Sequence, residues 1–348
     1  MSSNPKRYLM FVEQNYSFAI LRPLQEAILK RGEQVAWFIA GKEANPSLLD
    51  PSEHLLTSID NVMTFKPDAI FYPSNIAPTF LPGINVAIFH GFDAGKVDSH
   101  GQNDHFKIRN CFDLYCTQGQ TTTERFREFE KKHSHFKVIE TGWCALDKLY
   151  SEPQTSDSEK KTILLCSTFS KKLSCAPHLF DTVKKLSETG RWNWLVQFHP
   201  KMPAEIIERY KTIQNEHLTF VETSNVIPLL KKADVMVCDT SSVLIMFLLL
   251  AKPVVTYKNI APQNYLLNVT QAQKLEQTIE HALSEPADLM KNIRDFIQQT
   301  HPYQDGKSSE RVLSAVDQVL TGKFALKAKP WDIISQFKMR KKLKYWKF

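Results

Sequence analysis

No uninterrupted apolar run in this sequence is longer than residues 243–251, well short of the roughly 20 residues a helix needs to span a bilayer. A membrane-spanning helix is therefore not expected. The six cysteines (Cys111, Cys116, Cys144, Cys166, Cys175, Cys238) form no C-x-x-C pair, which speaks against a structural zinc site or a redox motif. Cys116, Cys166 and Cys238 lie inside apolar runs, where cysteine behaves as a small buried hydrophobe. Reduced thiols in a cytosolic protein are expected rather than a disulfide framework. Low-complexity tracts and short-period repeats are absent, and residues 1–7, short and polar, do not read as a secretory signal.

Charge is balanced except at one end. Nine of the 44 Lys and Arg residues, but only one of the 37 acids (Asp332), fall in 323–348, so the rest of the chain is close to neutral. A neutral body argues against nucleic-acid binding, and a basic tail points to a local anionic partner. Trp331, Ile333, Ile334, Phe337, Tyr345 and Trp346 stand among the cations of that tail. This mixture suits an anionic membrane surface, with a terminal helix packed back on the body as the alternative.

At 348 residues the chain exceeds what one core usually supports, so two domains are expected. Apolar runs at 8–13, 34–40, 69–73, 85–90, 114–117 and 137–141 alternate with helical patterns at 18–31 and 122–132. Near-continuous Val, Ile and Phe runs of this kind are how buried parallel strands read. The polar stretch 151–161 interrupts the pattern and reads as a linker. Alternation then restarts, with strands at 162–166, 194–198, 218–221, 235–238 and 253–257, and helices at 179–188, 204–211, 226–232, 242–250 and 308–320. The reading is α/β, with two Rossmann-like domains facing across a cleft: 1–150, a linker at 151–161, and 162–322, followed by the tail 323–348.

Ligands of open α/β sheets bind beyond the carboxyl ends of strands, so polar residues just past each apolar run are the candidates. His90-Gly91 closes one run; the imidazole titrates near neutrality and can take a proton from a hydroxyl. His199-Pro200-Lys201 closes another, with groups suited to a pyrophosphate. Asp239-Thr240-Ser241-Ser242 runs from a strand into a helix, where hydroxyls and N–H groups can hold phosphate or merely cap the helix. Gly306-Lys307-Ser308-Ser309 opens the 308–320 helix with the same chemistry, and Ser167-Thr168 offers hydroxyls after the first strand of the second half. His100 and His105 with Asp98 and Asp104 read as an irregular solvated loop rather than a metal cluster. No motif for a bound metal or cofactor stands out; any Mg²⁺ would be drawn from solution.

Taken in order, His90-Gly91, Thr141-Gly142 with Asp147, His199-Pro200, Asp239-Thr240-Ser241-Ser242-Val243 and Asp305-Gly306-Lys307-Ser308-Ser309 resemble the CDP-glycerol glycerophosphotransferase family, teichoic-acid-type enzymes of the GT-B fold. The resemblance covers about 70–320. It implies that an acceptor hydroxyl attacks the phosphorus bearing glycerol in CDP-glycerol and CMP leaves. It further implies His90 as general base, and His199 with Thr168, Asp239, Thr240, Ser241, Ser242, Ser308 and Ser309 around the diphosphate. Gly91, Lys96 and Asp147 would lie on the acceptor side. The acceptor would be a membrane-associated glycan or lipid-linked chain, and the protein cytoplasmic, peripheral at the inner face of the cell membrane. Two other readings fit the same fold: a glycosyltransferase or epimerase using a nucleotide sugar, and a noncatalytic scaffold binding a nucleotide or glycan.

Overall fold

Seven short strands, most of them buried on both faces, build the first sheet: β1 (Arg7–Gln14), β2 (Gln34–Glu43), β3 (Leu55–Leu56), β4 (Ala69–Tyr72), β5 (Ile84–Ala87), β6 (Leu114–Thr117) and β7 (Lys137–Glu140). Helices α1 (Tyr16–Lys30), α2 (Ile59–Phe65), α3 (Gln120–Glu130) and α4 (Asp147–Ser151) connect or follow them. The second sheet has six strands: β8 (Thr162–Ser167), β9 (Asn193–Phe198), β10 (Leu218–Phe220), β11 (Val235–Cys238), β12 (Val254–Tyr257) and β13 (Leu267–Val269). Its helices are α5 (Ala176–Glu188), α6 (Ala204–Lys211), α7 (Ile227–Lys232), α8 (Val243–Leu248), α9 (Leu275–Leu283) and α10 (Ala287–Thr300), and α11 (Ser308–Leu320) and α12 (Ile333–Leu343) end the chain. The computed structural model describes residues 4–93, 103–151, 160–223 and 225–347. Among them no helix is long and apolar enough to cross a membrane.

Every strand pairing in both sheets is parallel. The orders are β3-β2-β1-β4-β5-β6-β7 and β10-β9-β8-β11-β12-β13. Each sheet thus grows outward from its first strand in one direction, then resumes on that strand's other side. Such a reversal opens a crevice at the carboxyl ends of the two central strands, β1 with β4 and β8 with β11. Both are Rossmann-like parallel sheets, as the uninterrupted apolar runs require: β8, β11 and β12 are buried along their whole length.

The chain divides into two compact units, Met1–Ser151 with Thr300–Phe348, and Glu152–Gln299. This differs from the division expected from sequence, in which 162–322 forms one domain and 323–348 a separate tail. Helix α11 buries Val312, Leu313, Ala315 and Val316, and its Asp317 pairs with Lys6 at 2.6 Å and Arg31 at 2.9 Å. The tail follows it, with the Lys327 N–H bonded to the Ser134 carbonyl and Lys329 paired to Asp113 at 2.6 Å. Burial of an apolar helix face outweighs chain order, so the last helices complete the first unit. The first core is rich in aromatics, among them Phe11, Tyr72, Tyr115, Phe126 and Phe136; the second centres on Ile163, Leu165, Trp194, Val196, Val235 and Val237. All six cysteines are buried and unpaired.

His301 marks the re-entry into the first unit. It is fully buried, its Nε2 accepts the Trp143 N–H at 2.9 Å, and Tyr150 stacks on it at 6.0 Å. Burial pushes its pKa down to about 4. A histidine with a depressed folded-state pKa stays neutral in the native protein while the unfolded chain takes up a proton near pH 6.5. The stability that His301 contributes is therefore complete above about pH 6.5 and falls by about 3 kcal/mol as pH drops toward 4. Urea denaturation at a series of pH values should show this loss, and His301→Gln should flatten it. Parallel pH curves for the two proteins would reject His301 as the source.

Candidate functional site

In the first unit the crevice between β1 and β4 opens into a cavity of about 350 Å³ lined by Glu13, Gln14, Tyr16, Gly41, Glu43, Ser74, Asn75, His90 and Lys342. Its floor depends on a close approach. A β-carbon on Gly41 would lie 2.2 Å from the Glu13 carbonyl oxygen, next to the register shift between Val12 and Gln14 in the β1–β2 pairing. The Gln14 amide donates to Glu43 at 2.6 Å, and Glu13 pairs with Lys342 of α12. Burial, with Glu13 and Glu43 nearby, raises the pKa of the Tyr16 phenol.

His90 stands three residues beyond β5 rather than at its last position. Phe89, just before it, has φ +59°, a left-handed conformation that is costly for an aromatic residue and is found where surrounding structure enforces it. The enforcing contacts are visible: the Trp143 Nε1–H donates to the Phe89 carbonyl at 3.2 Å, and the Phe89 ring packs on Phe126 and His105 at 5.3 and 5.2 Å. The turn leaves His90 exposed, with its ring 5.9 Å from that of Tyr16. The His90 Nδ1 lies 3.1 Å from the Pro73 carbonyl oxygen. Because a carbonyl only accepts, Nδ1 carries the proton, and Nε2 is the basic nitrogen of the neutral ring. Gly91 follows, its carbonyl taken by the Gln118 amide at 2.8 Å.

In the second unit Thr168 follows β8, His199 follows β9, and Asp239, Thr240, Ser241 and Ser242 follow β11, at the carboxyl ends of three neighbouring strands. Asp239 faces inward. Its carboxylate is fully buried and accepts from Ser167 Oγ at 2.6 Å, the Thr168 N–H at 3.1 Å and the Cys175 N–H at 3.0 Å. It latches the β8 loop to the end of β11. The diphosphate contact expected of Asp239 is thus replaced by a positioning role, because its acceptor sites are filled by its own chain. Thr240 Oγ1 accepts the Ile260 N–H at 3.3 Å; Ser241 is half-buried and Ser242 exposed. His199 packs on Phe169 at 4.5 Å. Its Nδ1 accepts the Lys201 N–H at 3.0 Å, which makes Nε2 a donor.

Other expectations change. Ser308 and Ser309 belong to the first unit, not to the β8–β11 crevice, and both are buried. Their N–H groups each donate to the Asp147 carboxylate at 2.8 Å, so the start of α11 is already capped from within. Asp147 is that cap: buried, with one carboxylate oxygen taken by each of the two N–H groups. Lys96, His100 and Asp98 lie outside the described residues, as does most of the linker. His105 is half-buried against Phe89 and Phe106, and burial lowers its pKa. Among the described residues no group of three His, Cys, Asp or Glu side chains could hold a metal.

Sequence reasoning missed Glu13, Glu43, Tyr16 and Asn75. The strand-end rule applied to β1 and β4 would have reached Glu13 and Asn75. For Lys342, brought to Glu13 across 329 positions, no local signal exists.

Residues 107–317 match the family model described as UDP-N-acetylglucosamine 2-epimerase. No curated protein matches the sequence. Among solved structures, a UDP-N-acetylglucosamine 2-epimerase of Listeria monocytogenes superposes with a TM-score of 0.64 at 13% identity, covering 95% of this chain and 100% of that one. MnaA of S. aureus, solved with UDP, gives 0.62 at 17%, covering 94% and 100%. The wall teichoic acid polymerase TagF, in a variant soaked with CDP-glycerol, gives 0.63 at 11%, covering 91% and 89%. Identities this low speak to the fold, which is that of the GT-B class.

Proposed function

We propose that this member of the UDP-N-acetylglucosamine 2-epimerase family acts on a donor linked to a nucleoside diphosphate, and, from the order of His90-Gly91, His199-Pro200 and Asp239-Thr240-Ser241-Ser242 along the chain, that the reaction is transfer of glycerol phosphate or a related alditol phosphate from a CDP-linked donor to an acceptor hydroxyl. The acceptor is a glycan or lipid-linked chain. His90 carries the reading: an exposed imidazole whose Nδ1–H is committed to Pro73 presents a basic Nε2. In the step, the acceptor oxygen bonds to the phosphorus bearing the alditol, the bond from that phosphorus to CMP breaks, and the hydroxyl proton passes to His90 Nε2. The β8–β11 crevice takes the diphosphate through the hydroxyls of Thr168, Thr240, Ser241 and Ser242 and the Nε2–H of His199. Catalysis of this kind rests on positioning and charge stabilisation.

Epimerisation of a nucleotide sugar is the second reading, favoured by the family match and by the two carboxylates, Glu13 and Glu43, beside His90. The two readings separate by product. With CDP-glycerol and an acceptor, transfer releases CMP; with UDP-N-acetylglucosamine, epimerisation inverts one sugar carbon and releases no nucleotide at equilibrium. Thermal shifts with CDP, UDP and GDP give an earlier test. A nucleotide at about 100 times its Kd should stabilise the protein by about 2.7 kcal/mol, a shift of a few degrees in Tm. If none of the three raises Tm at millimolar concentration, both enzymatic readings fall and the scaffold reading takes their place.

A further inference from the structure

The tail helix α12 has two unlike sides. One faces the first unit: Met339 is buried, Leu343 and Tyr345 pack on the aromatic core, and Tyr345 stacks on Phe80 at 5.7 Å with Arg340 over the same ring at 4.3 Å. Lys347 pairs with Asp60 at 2.8 Å, and Lys342 reaches Glu13 in the wall of the β1–β4 cavity. The other side is apolar yet exposed: Ile333 68%, Ile334 67% and Phe337 57%, with Trp331 93% and Trp346 47% exposed before and after the helix. Phe337 and Trp346 pair at 5.1 Å. Helical spacing places Ile333, Phe337 and Lys341 in one row, with Ile334 and Lys338 beside it, opposite Met339 and Leu343. Lys338, Lys341 and Lys344 are exposed around these apolar groups, and Asp332, the only acid of 323–348, is turned to the Ser335 N–H as the helix cap.

We propose that this face docks on an anionic lipid surface, and that α12 thereby sets the β1–β4 cavity beside that surface. Apolar rings and aliphatic chains enter the headgroup boundary while the lysines meet lipid phosphates. A patch of contiguous apolar side chains calls for a partner, and the lysines select an anionic one. Docking stands apart from the reaction proposed above and requires no turnover, so either can fail alone.

The test uses the full chain and vesicles of phosphatidylglycerol with phosphatidylcholine, against phosphatidylcholine alone, read by cosedimentation and tryptophan emission. Trp37, Trp143, Trp192 and Trp194 are all buried, so a blue shift and quenching by brominated lipid report on Trp331 and Trp346. Binding to the anionic vesicles, weakened by salt, is expected. The double variant Ile334→Asp, Phe337→Asp should lose about tenfold or more in affinity. Both positions are exposed, so the fold should persist, and an unchanged urea midpoint would verify this. Absence of binding, equal binding to uncharged vesicles, or unaltered binding by the double variant overturns the proposal. So does a parent dimer that the double variant converts to monomer, since a second copy would then cover the face.

Discussion

His90→Ala is expected to lower kcat by about 10²- to 10⁴-fold, the usual contribution of a positioned general base, while nucleotide affinity stays at the parent value. The split follows from where the two groups sit: the imidazole belongs to the first unit and the Thr168–Thr240 hydroxyls to the second. Its structural basis is the fixed tautomer. With Nδ1–H held by Pro73 and the backbone turned by a left-handed Phe89, the folded chain sets the tautomer in which Nε2 is the basic nitrogen. Calorimetric titration with nucleotide and steady-state assays of the same preparations would check both halves. A variant with parental kcat removes His90 from the mechanism.

The second large effect is on stability. Asp239→Ala deletes the acceptor of one hydroxyl and two N–H groups, all gathered at a fully buried carboxylate. Leaving buried donors unpaired costs about 1–3 kcal/mol for each, and partial relaxation brings the expected total to about 3–5 kcal/mol. The urea midpoint should fall with little change in slope. Nucleotide affinity should weaken as well, because the Thr168 loop is held to β11 through this carboxylate. Asp239→Asn, which keeps the shape and one acceptor oxygen, should lie between the two. A midpoint for Asp239→Ala equal to that of the parent would show that the latch carries no weight.

The histidine and the Asp-Thr-Ser-Ser segment were found by one rule, that polar groups following a buried apolar run lie at the carboxyl end of a strand. The rule needs only local pattern, which is why it places His90, His199 and Asp239 alike beyond the ends of β5, β9 and β11. It cannot tell a group that faces ligand from one that faces its own chain. Asp239 and Thr240 are neighbours in sequence, yet one carboxylate is consumed by three internal donors and the neighbouring hydroxyl is half-exposed. Ser308 and Ser309 present the same ambiguity. Hydroxyls at a helix start suggest a phosphate site until Asp147, 161 positions away, is seen to hold the N–H groups. Strands β3 and β13 were also missed: the two residues of β3 are too few to show a period, and β13 has only one buried residue, whereas the equally short β10 was marked by the run 218–221.

From sequence alone came the α/β class, the two successive strand–helix arrays and most strand positions, since solvent exclusion from both faces of a parallel sheet writes itself into each segment as an unbroken apolar run. The tertiary structure decided the strand order, and through it the two crevices at β1–β4 and β8–β11. It also decided that α11 and the tail complete the first unit. Strand neighbours, buried carboxylate caps and pairs such as Lys342 with Glu13 are chosen by side chains tens to hundreds of residues apart in the chain, and no local pattern carries that outcome.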